Sequence, residues 1–372
     1  MEQNRLAAGG PAVQDDAGHD GAPDPIALLV AEFESDVVYL NTASLGLPPR
    51  RTVDAVRSAL DDWRRGISNP VDFDAPLAAA RADYGSLVGM PPESIAVGSQ
   101  VSVFAGLVAA NLPDGSEVLT AEGDFTSILF PFHAQARRGV VVREVPLEDI
   151  ADAVTPATTV VSVSSVQSSN GRMVDLDALE AACAVTGTRV LLDTTQSTGW
   201  LPIDAGRFAY TVGGGYKWLL SPRGTAFFTV QDSLLDDLIP HNANWYAGEH
   251  PWSSIYGTPL RLAADARRLD VSPAWHSWVG AAPSMAMLQT VGTDRLHRHA
   301  VGLSDRFCAA VGIPATGSAI VSLGVADTAV PAILEARISA AMRAGRLRLA
   351  FHVSTSEEDV DIAAETLRPH LV

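Results

Sequence analysis

Short, nearly continuous apolar runs recur through the middle of the chain, separated by stretches whose apolar positions return at helical spacing. SIAVGS (94–99), EVLTAE (117–122), VVVREVP (140–146), TVVSVSS (159–165) and RVLLDTT (189–195) read as strands. Each is flanked by an amphipathic segment, so the alternation predicts βα units and a mostly parallel sheet. Val and Leu at successive positions suit strands covered on both faces. Before them, IALLVAEFES (26–35) predicts a short helix and VVYL (37–40) a strand. The turn-rich loop NTASLGLPPRR (41–51) then leads into a helix. The sheet-forming pattern ends near residue 231. An aromatic, Gly- and Pro-rich connection (241–260) follows, then a helix over 275–291. AIVSLGV (319–325) and RLRLAFHVS (346–354) predict strands of a smaller C-terminal α/β unit.

This pattern divides the chain into a large domain over 25–270, including an N-terminal segment and a connecting loop, and a linking helix with a small domain over 271–372. Residues 1–24 are acidic and rich in Gly, Pro and Asp, without the basic start and apolar run of a signal peptide, and read as a disordered leader. A length of 372 residues favours one large domain plus a smaller one, and 47% hydrophobic content supplies the core. The net charge of −17 argues against nucleic acid or an anionic membrane as partner. Without a run of 18 apolar residues, no membrane span is expected, and a cytoplasmic location is. Cys183 and Cys308 sit in Ala-rich segments without metal-site spacing, so buried reduced thiols are expected and no metal.

Chemistry concentrates at strand ends. Ser99, Asp124, Ser164 to Ser168, Asp193 and Gly213 to Lys217 all follow apolar strands, where ligands gather in open α/β sheets. Asp193 closes one strand, and Lys217 follows 24 residues later in a glycine-rich turn, TVGGGYKWLLSPRG. An acid and a lysine so placed suit pyridoxal phosphate (PLP). The lysine carries the cofactor as a Schiff base, while the carboxylate keeps the pyridine nitrogen protonated. A buried acid beside an unrelated loop lysine is the competing reading. At VGSQVSVF, Ser99, Gln100 and Val101 open a helix whose free amides suit a phosphate.

Together these segments resemble the class V aminotransferase family of fold type I PLP enzymes, from about residue 37 to 365. The kynureninase-like and isopenicillin-epimerase-like branch is the most similar. The resemblance implies a large domain with a mostly parallel sheet flanked by helices, and a small C-terminal α/β domain. It makes Lys217 the Schiff-base lysine, Asp193 the partner of the pyridine nitrogen and Gln196 a neighbour of the ring hydroxyl. Phe125 falls at the ring-stacking position, with a core role as its rival. Tyr216 resembles a phenol that reaches the phosphate. Ser168 falls beside the cofactor, with Gln167 and Ser169 as rivals. Ser272, in LDVSPAW, is similar to an element that reaches the phosphate of a neighbouring subunit, which implies a homodimer with a shared site. Arg348 resembles the arginine that grips an α-carboxylate, with Arg346 as rival. Asn41, Thr42, Trp245 and Tyr246 are candidates for the pocket wall, or for packing. The chain departs from the family pattern at Gly214, where relatives place a Ser, and at Ser354 in the segment after the arginine.

The implied function is chemistry at the α- or β-carbon of an amino acid, transaminase-like by family. The alternative is a C–S or C–C lyase of the cysteine-conjugate or kynureninase kind, or an epimerase. A persulfide-forming desulfurase needs a cysteine ahead of the arginine, and none lies between Ile313 and Arg348. The non-enzymatic alternative, a PLP-fold binding protein, draws on Gly214 and the altered segment after Arg348. Retention of Lys217, Asp193 and Gln196 opposes it.

Overall fold

The computed structural model describes residues 25–372, so the leader expected over 1–24 lies outside the described residues. In chain order come α1 (Pro25–Val30), β1 (Val38–Tyr39), α2 (Arg50–Arg64), α3 (Asp74–Val88), β2 (Ile95–Gly98), α4 (Val101–Ala110), β3 (Glu117–Ala121), α5 (Thr126–His133), β4 (Val141–Val145) and β5 (Thr158–Ser164). Then come α6 (Leu176–Thr186), β6 (Arg189–Asp193), β7 (Tyr210–Gly214), β8 (Ala226–Val230), α7 (Trp275–Val291), α8 (Thr293–Val311) and β9 (Ile320–Leu323). The chain closes with α9 (Ala329–Glu335), β10 (Ile338–Ser339), β11 (Ala341–Arg343), β12 (Arg346–Ala350) and α10 (Glu357–Leu367).

A seven-stranded sheet in the order β2-β8-β7-β6-β5-β3-β4 forms the centre. Only β8 runs against the others, pairing antiparallel with both β2 and β7. All strands but the edge strand β4, whose residues stay partly or fully exposed, are covered on both faces, and the two-residue side-chain period sorts them. Val160 and Leu191 pack with α4 and α5 residues such as Phe104 and Ile128. Their neighbours Val161, Val163, Val190 and Leu192 pack with Leu179 and Cys183 of α6 on the other face. Toward the β2–β8 side, Val97 and Phe227 face Tyr84 of α3 and Trp278 and Leu288 of α7. Both cysteines are buried, Cys183 in α6 and Cys308 in α8.

A second, antiparallel sheet has the order β11-β12-β9. The N-terminal segment joins it. β1 pairs in parallel with β10, and Asn41 bridges Ala350 at the end of β12. Val38 and Leu40 pack with Phe307, Leu349 and Phe351. Ala43, Trp200, Trp218, Ile320 and Ala350 then form a smaller cluster where this unit meets the large sheet. No helix among the described residues is long and apolar enough to cross a membrane. The parallel strands end at one edge of the sheet, and the chain segments leaving that edge build the site.

Candidate active site

A cleft at the carboxyl ends of the strands encloses about 610 Å³ of empty space, mouth included. Five separate segments line it. Ser99, Gln100 and Val101 follow β2, and Phe125 and Ser127 follow β3. Ser164 and Ser168 come from the end of β5, Asp193, Thr195 and Gln196 from β6, and Tyr216, Lys217 and Arg223 from the turn after β7. Nine sequence-predicted residues therefore meet in one place: Ser99, Gln100, Val101, Phe125, Ser168, Asp193, Gln196, Tyr216 and Lys217.

Local backbone demands explain the lysine turn. A Cβ on Gly213 would lie 2.8 Å from Thr194 Oγ1, and one on Gly215 would lie 2.4 Å from Thr225 Oγ1. Leu220, although buried, holds the left-handed conformation with φ of 55°. That cost of about 1–2 kcal/mol for a residue with a Cβ is carried by the packing around it. The turn is further tied down by Gly46 N–H, which donates to Tyr216 O at 2.9 Å.

Lys217 and Asp193 face opposite pressures. Burial removes water from the ammonium and lowers the lysine to a pKa of about 8, with Asp193 pulling the other way. Burial likewise pushes Asp193 up to about 6, against the hydrogen bonds that Thr195 gives it. Thr195 N–H donates to Asp193 Oδ1 at 2.8 Å. Lys217 Nζ lies 5.3 Å from the Phe125 ring centroid and 5.6 Å from that of Tyr216. Phe125 is 44% exposed, so its ring is a wall of the cleft rather than core.

Several residues hold the walls. Asp124 accepts from Ser164 N (2.8 Å), Ser164 Oγ (2.6 Å), Gln167 Nε2 (3.1 Å) and Phe125 N (2.6 Å), which fixes the aromatic wall to the end of β5. Gln167 is thereby turned away from the rival role, and Ser168 takes the cleft position. Gln196 Oε1 accepts from Trp218 Nε1 at 2.8 Å, while its Nε2 donates to Ala43 O and to Ser168 Oγ, both at 3.0 Å. The same amide thus clamps the lysine turn, the early loop and the β5 loop together. His352 Nε2–H donates to Trp218 O at 2.8 Å, and burial holds this imidazole neutral, with a pKa near 3.

Arg348 is 1% exposed and donates to Ser168 O (2.5 Å), Ser168 Oγ (3.3 Å) and Ser44 Oγ (2.6 Å). Its rival Arg346 is exposed and bound to Ser322. Burial, with Arg343 nearby, lowers Arg348 to about 10. Among the described residues no carboxylate forms an ion pair with Arg348, so a buried guanidinium is left with hydroxyl and carbonyl partners only.

Five predicted residues lie outside the cleft in the single chain: Asn41, Thr42, Trp245, Tyr246, whose hydroxyl donates to Asp74 Oδ1 at 3.0 Å, and Ser272. Ser272 is exposed and outside the cleft. Trp245 packs on Tyr246 and Trp252 at centroid distances of 5.2 and 5.1 Å. Asn41 is half-buried, and its Oδ1 has no hydrogen-bond partner. The early loop does reach the site, but through Ala43 O, Ser44 Oγ and Gly46 N. Sequence reasoning also missed Arg223, whose guanidinium lies 5.1 Å over the Tyr216 ring. Its signal was present as the only charge in the turn that follows Lys217.

The residues fit PLP. A buried acid and a desolvated lysine share the cleft with a helix start, whose first amides lack intrahelical acceptors. The exposed Phe125 ring supplies a flat wall.

Comparison with known proteins agrees. The family model described as aminotransferase class-V matches residues 49–311. The chain is 29% identical over 284 residues to a kynureninase of Deinococcus radiodurans, covering 67% of this chain and 69% of that protein. It is 27% identical over 235 residues to an isopenicillin N epimerase of Streptomyces clavuligerus, covering 57% and 58%. Among solved structures, the cystine C–S lyase C-DES with its product cysteine persulfide superposes with a TM-score of 0.81 at 20% identity, over 91% of this chain and 99% of that one. A variant of that lyase, also at TM-score 0.81 and 20% identity over 90% and 97%, holds glycine covalently linked to the PLP cofactor.

Proposed function

This chain belongs to the aminotransferase class-V family, whose cofactor is PLP, and from that premise we propose an enzyme that acts on the α-carbon of a free amino acid in a transaminase-like reaction. The observation that carries this reading is the buried pair of Lys217 and Asp193 in one cleft, with the buried and acid-free Arg348 beside it.

When bound, PLP supplies an aldehyde for amines and a ring that accepts electrons. The protein does the rest. Asp193, ionised above about pH 6, stands where it would stabilise a protonated ring nitrogen. Phe125 would hold the ring plane by offset stacking, worth about 1 kcal/mol. Ser99 to Val101 at the start of α4, with Tyr216, would take the phosphate, and Arg223 adds charge there. Arg348 would hold the substrate carboxylate, orienting the α-carbon toward Lys217. Lys217, a neutral amine above about pH 8, is the base that would move a proton at that carbon. Ser272, exposed in the single chain, is read as completing the phosphate site of a second copy in a homodimer.

A lyase is the second reading, favoured by the kynureninase among the relatives. Its chemistry would break a bond at the β-carbon after the same proton removal. Neither cysteine lines the cleft, so no thiol is available there to take sulfur.

The test is a visible absorption spectrum of the purified protein with PLP, followed by product analysis with a panel of amino acids. A band near the blue edge of the visible that is absent in Lys217→Ala, with amino transfer that depends on an added keto acid, is the expected outcome. Pyruvate and ammonia released without a keto acid would replace the transaminase with the lyase. A protein that forms no band with PLP would overturn both.

A further inference from the structure

The surroundings of Lys217 carry more positive charge than the proposed reaction uses. Among the described residues, Arg223, Arg343 and Arg348 all bear on Lys217, and none of the three forms an ion pair. This is in a chain with 43 acidic against 26 basic residues, so acids were available to neutralise them. Two anions account for two of these charges on the reading above: the cofactor phosphate for Arg223 and the substrate α-carboxylate for Arg348. Arg343 remains.

Its placement is built by the hairpin of β11 and β12. Arg343 pairs with Arg346 and Ala341 pairs with Arg348 across this ladder. Paired and alternate positions share a face, so the hairpin sets Arg343 and Arg348 on the same side. The connecting residues Ala344 and Gly345 both have positive φ, 47° and 76°, the conformation of the tight two-residue turns that fix hairpin register. Arg343 is thus carried on a rigid ribbon rather than on a wandering loop.

The two guanidinium groups meet at one atom. Ser44 Oγ accepts from Arg348 Nη2 at 2.6 Å and from Arg343 Nη2 at 3.2 Å. Both acceptor positions of the hydroxyl are then used, and its own proton is left to donate. Two like charges are therefore held within two hydrogen-bond lengths of each other. The one other bond of the Arg343 side chain is to Met342 O, next to it in the chain. Such an arrangement gains most when an anion sits between the two cations.

We propose that Arg343, with the Ser44 hydroxyl, forms a subsite for a second negative charge on the substrate, so that the enzyme prefers amino acids whose short side chain ends in an anion, a carboxylate or an oxidised-sulfur acid. The inference rests on the amino-acid reading above. Because Arg348 Nη2 and Arg343 Nη2 bond the same hydroxyl oxygen, at 2.6 and 3.2 Å, they suit two acids separated by a few bonds, as in aspartate, glutamate or cysteate.

The experiment is a titration of the PLP-loaded protein, followed by the shift of its visible band, with L-aspartate against L-asparagine, L-glutamate against L-glutamine, and L-cysteate against L-alanine. Within at least one pair, the acid is expected to bind about tenfold more tightly than its neutral counterpart, the effect of one charge-assisted contact. Arg343→Gln should bring that ratio close to one, and Arg343→Glu should invert it. Because Arg343 is exposed, both variants are expected to fold, which circular dichroism checks. Neutral amino acids that shift the band as well as the acids do would overturn the subsite and leave the amino-acid reading standing. A preference for acids that survives Arg343→Glu would assign it elsewhere and overturn the role of Arg343. A band that no amino acid moves would sink the amino-acid reading, and this inference with it.

Discussion

At the level of single residues, the proposed roles of Lys217 and Asp193 predict how the protein would take up PLP. Lys217 would attach an aldehyde cofactor as a neutral amine, and burial lowers it to about 8 rather than leaving it near 10.5. At pH 7 about a tenth of the molecules then carry the reactive form, far more than an exposed lysine would offer. The rate of PLP attachment to cofactor-free protein should therefore rise about tenfold per pH unit up to about pH 8, and flatten above it. Stopped-flow absorbance at the visible band measures this, and a rate still climbing at pH 10 would show an unperturbed amine. Asp193 acts in the same direction at lower pH. Its folded pKa of about 6 lies above the ordinary 3.8, so folding of the cofactor-free protein favours its neutral form more than the unfolded chain does, although it is ionised above about pH 6. The stabilisation this group contributes is present at low pH and is lost as pH rises through about 6. A cation at the ring nitrogen reverses that balance, so cofactor affinity should weaken as pH falls below about 6.

At the level of elements, the early loop is the piece that decides whether the lysine turn is held in place. Gly46 N–H donates to Tyr216 O, and a Cβ added at Gly46 would lie 2.1 Å from Lys217 O, a backbone atom with no room to retreat. Gly46→Ala should therefore move the turn and cost on the order of 2 kcal/mol or more. Equilibrium dialysis should show PLP affinity falling at least about tenfold while circular dichroism keeps the native helix signal; unchanged affinity would mean the loop does not support the turn. Nothing in the residues around Gly46 foretells this. Five of the seven strands of the large sheet, β2 to β6, were legible because apolar runs mark strands packed in a sheet, although β4 at the edge is partly exposed. Residues just after those runs were legible as site candidates for the same reason. The antiparallel direction of β8 was not, since AFFTV is apolar throughout and reads alike either way. Ser44 and the clamp by Gln196 were hidden too. Their bonds join residues 304 and 153 positions apart, and such contacts leave no spacing to read.

At the level of the whole molecule, the cleft depends on how the edge of the sheet is closed. β2 is an edge strand, and it leads directly into Ser99 to Val101. An exposed edge would leave backbone groups unpaired and the start of α4 loosely placed. Here the segment before Ser272 covers it. Asp270 Oδ1 accepts from Val97 N at 2.8 Å, and Val271 N–H returns a bond to Val97 O at 2.9 Å. Arg81 of α3 completes the closure, donating to Asp270 Oδ2 at 2.6 Å and to Ile95 O at 2.5 Å, with both side chains buried. Asn244 Nδ2 adds a bond to Asp270 O at 2.9 Å, so the long connection is tied to the same point. Removing one partner would leave the other charge buried and alone, which costs about 3–5 kcal/mol. Asp270→Ala should lower unfolding stability by that amount in urea, and PLP retention should fall with it. Replacing both charges, as Arg81→Leu with Asp270→Leu, removes the stranded charge but still leaves Val97 N without its acceptor. The double variant should therefore recover part of the loss in stability and little of the cofactor affinity. Full recovery of both would mean that the pair only fills space, and that the edge strand positions Ser99 to Val101, the proposed phosphate end of the cleft, without help from Asp270.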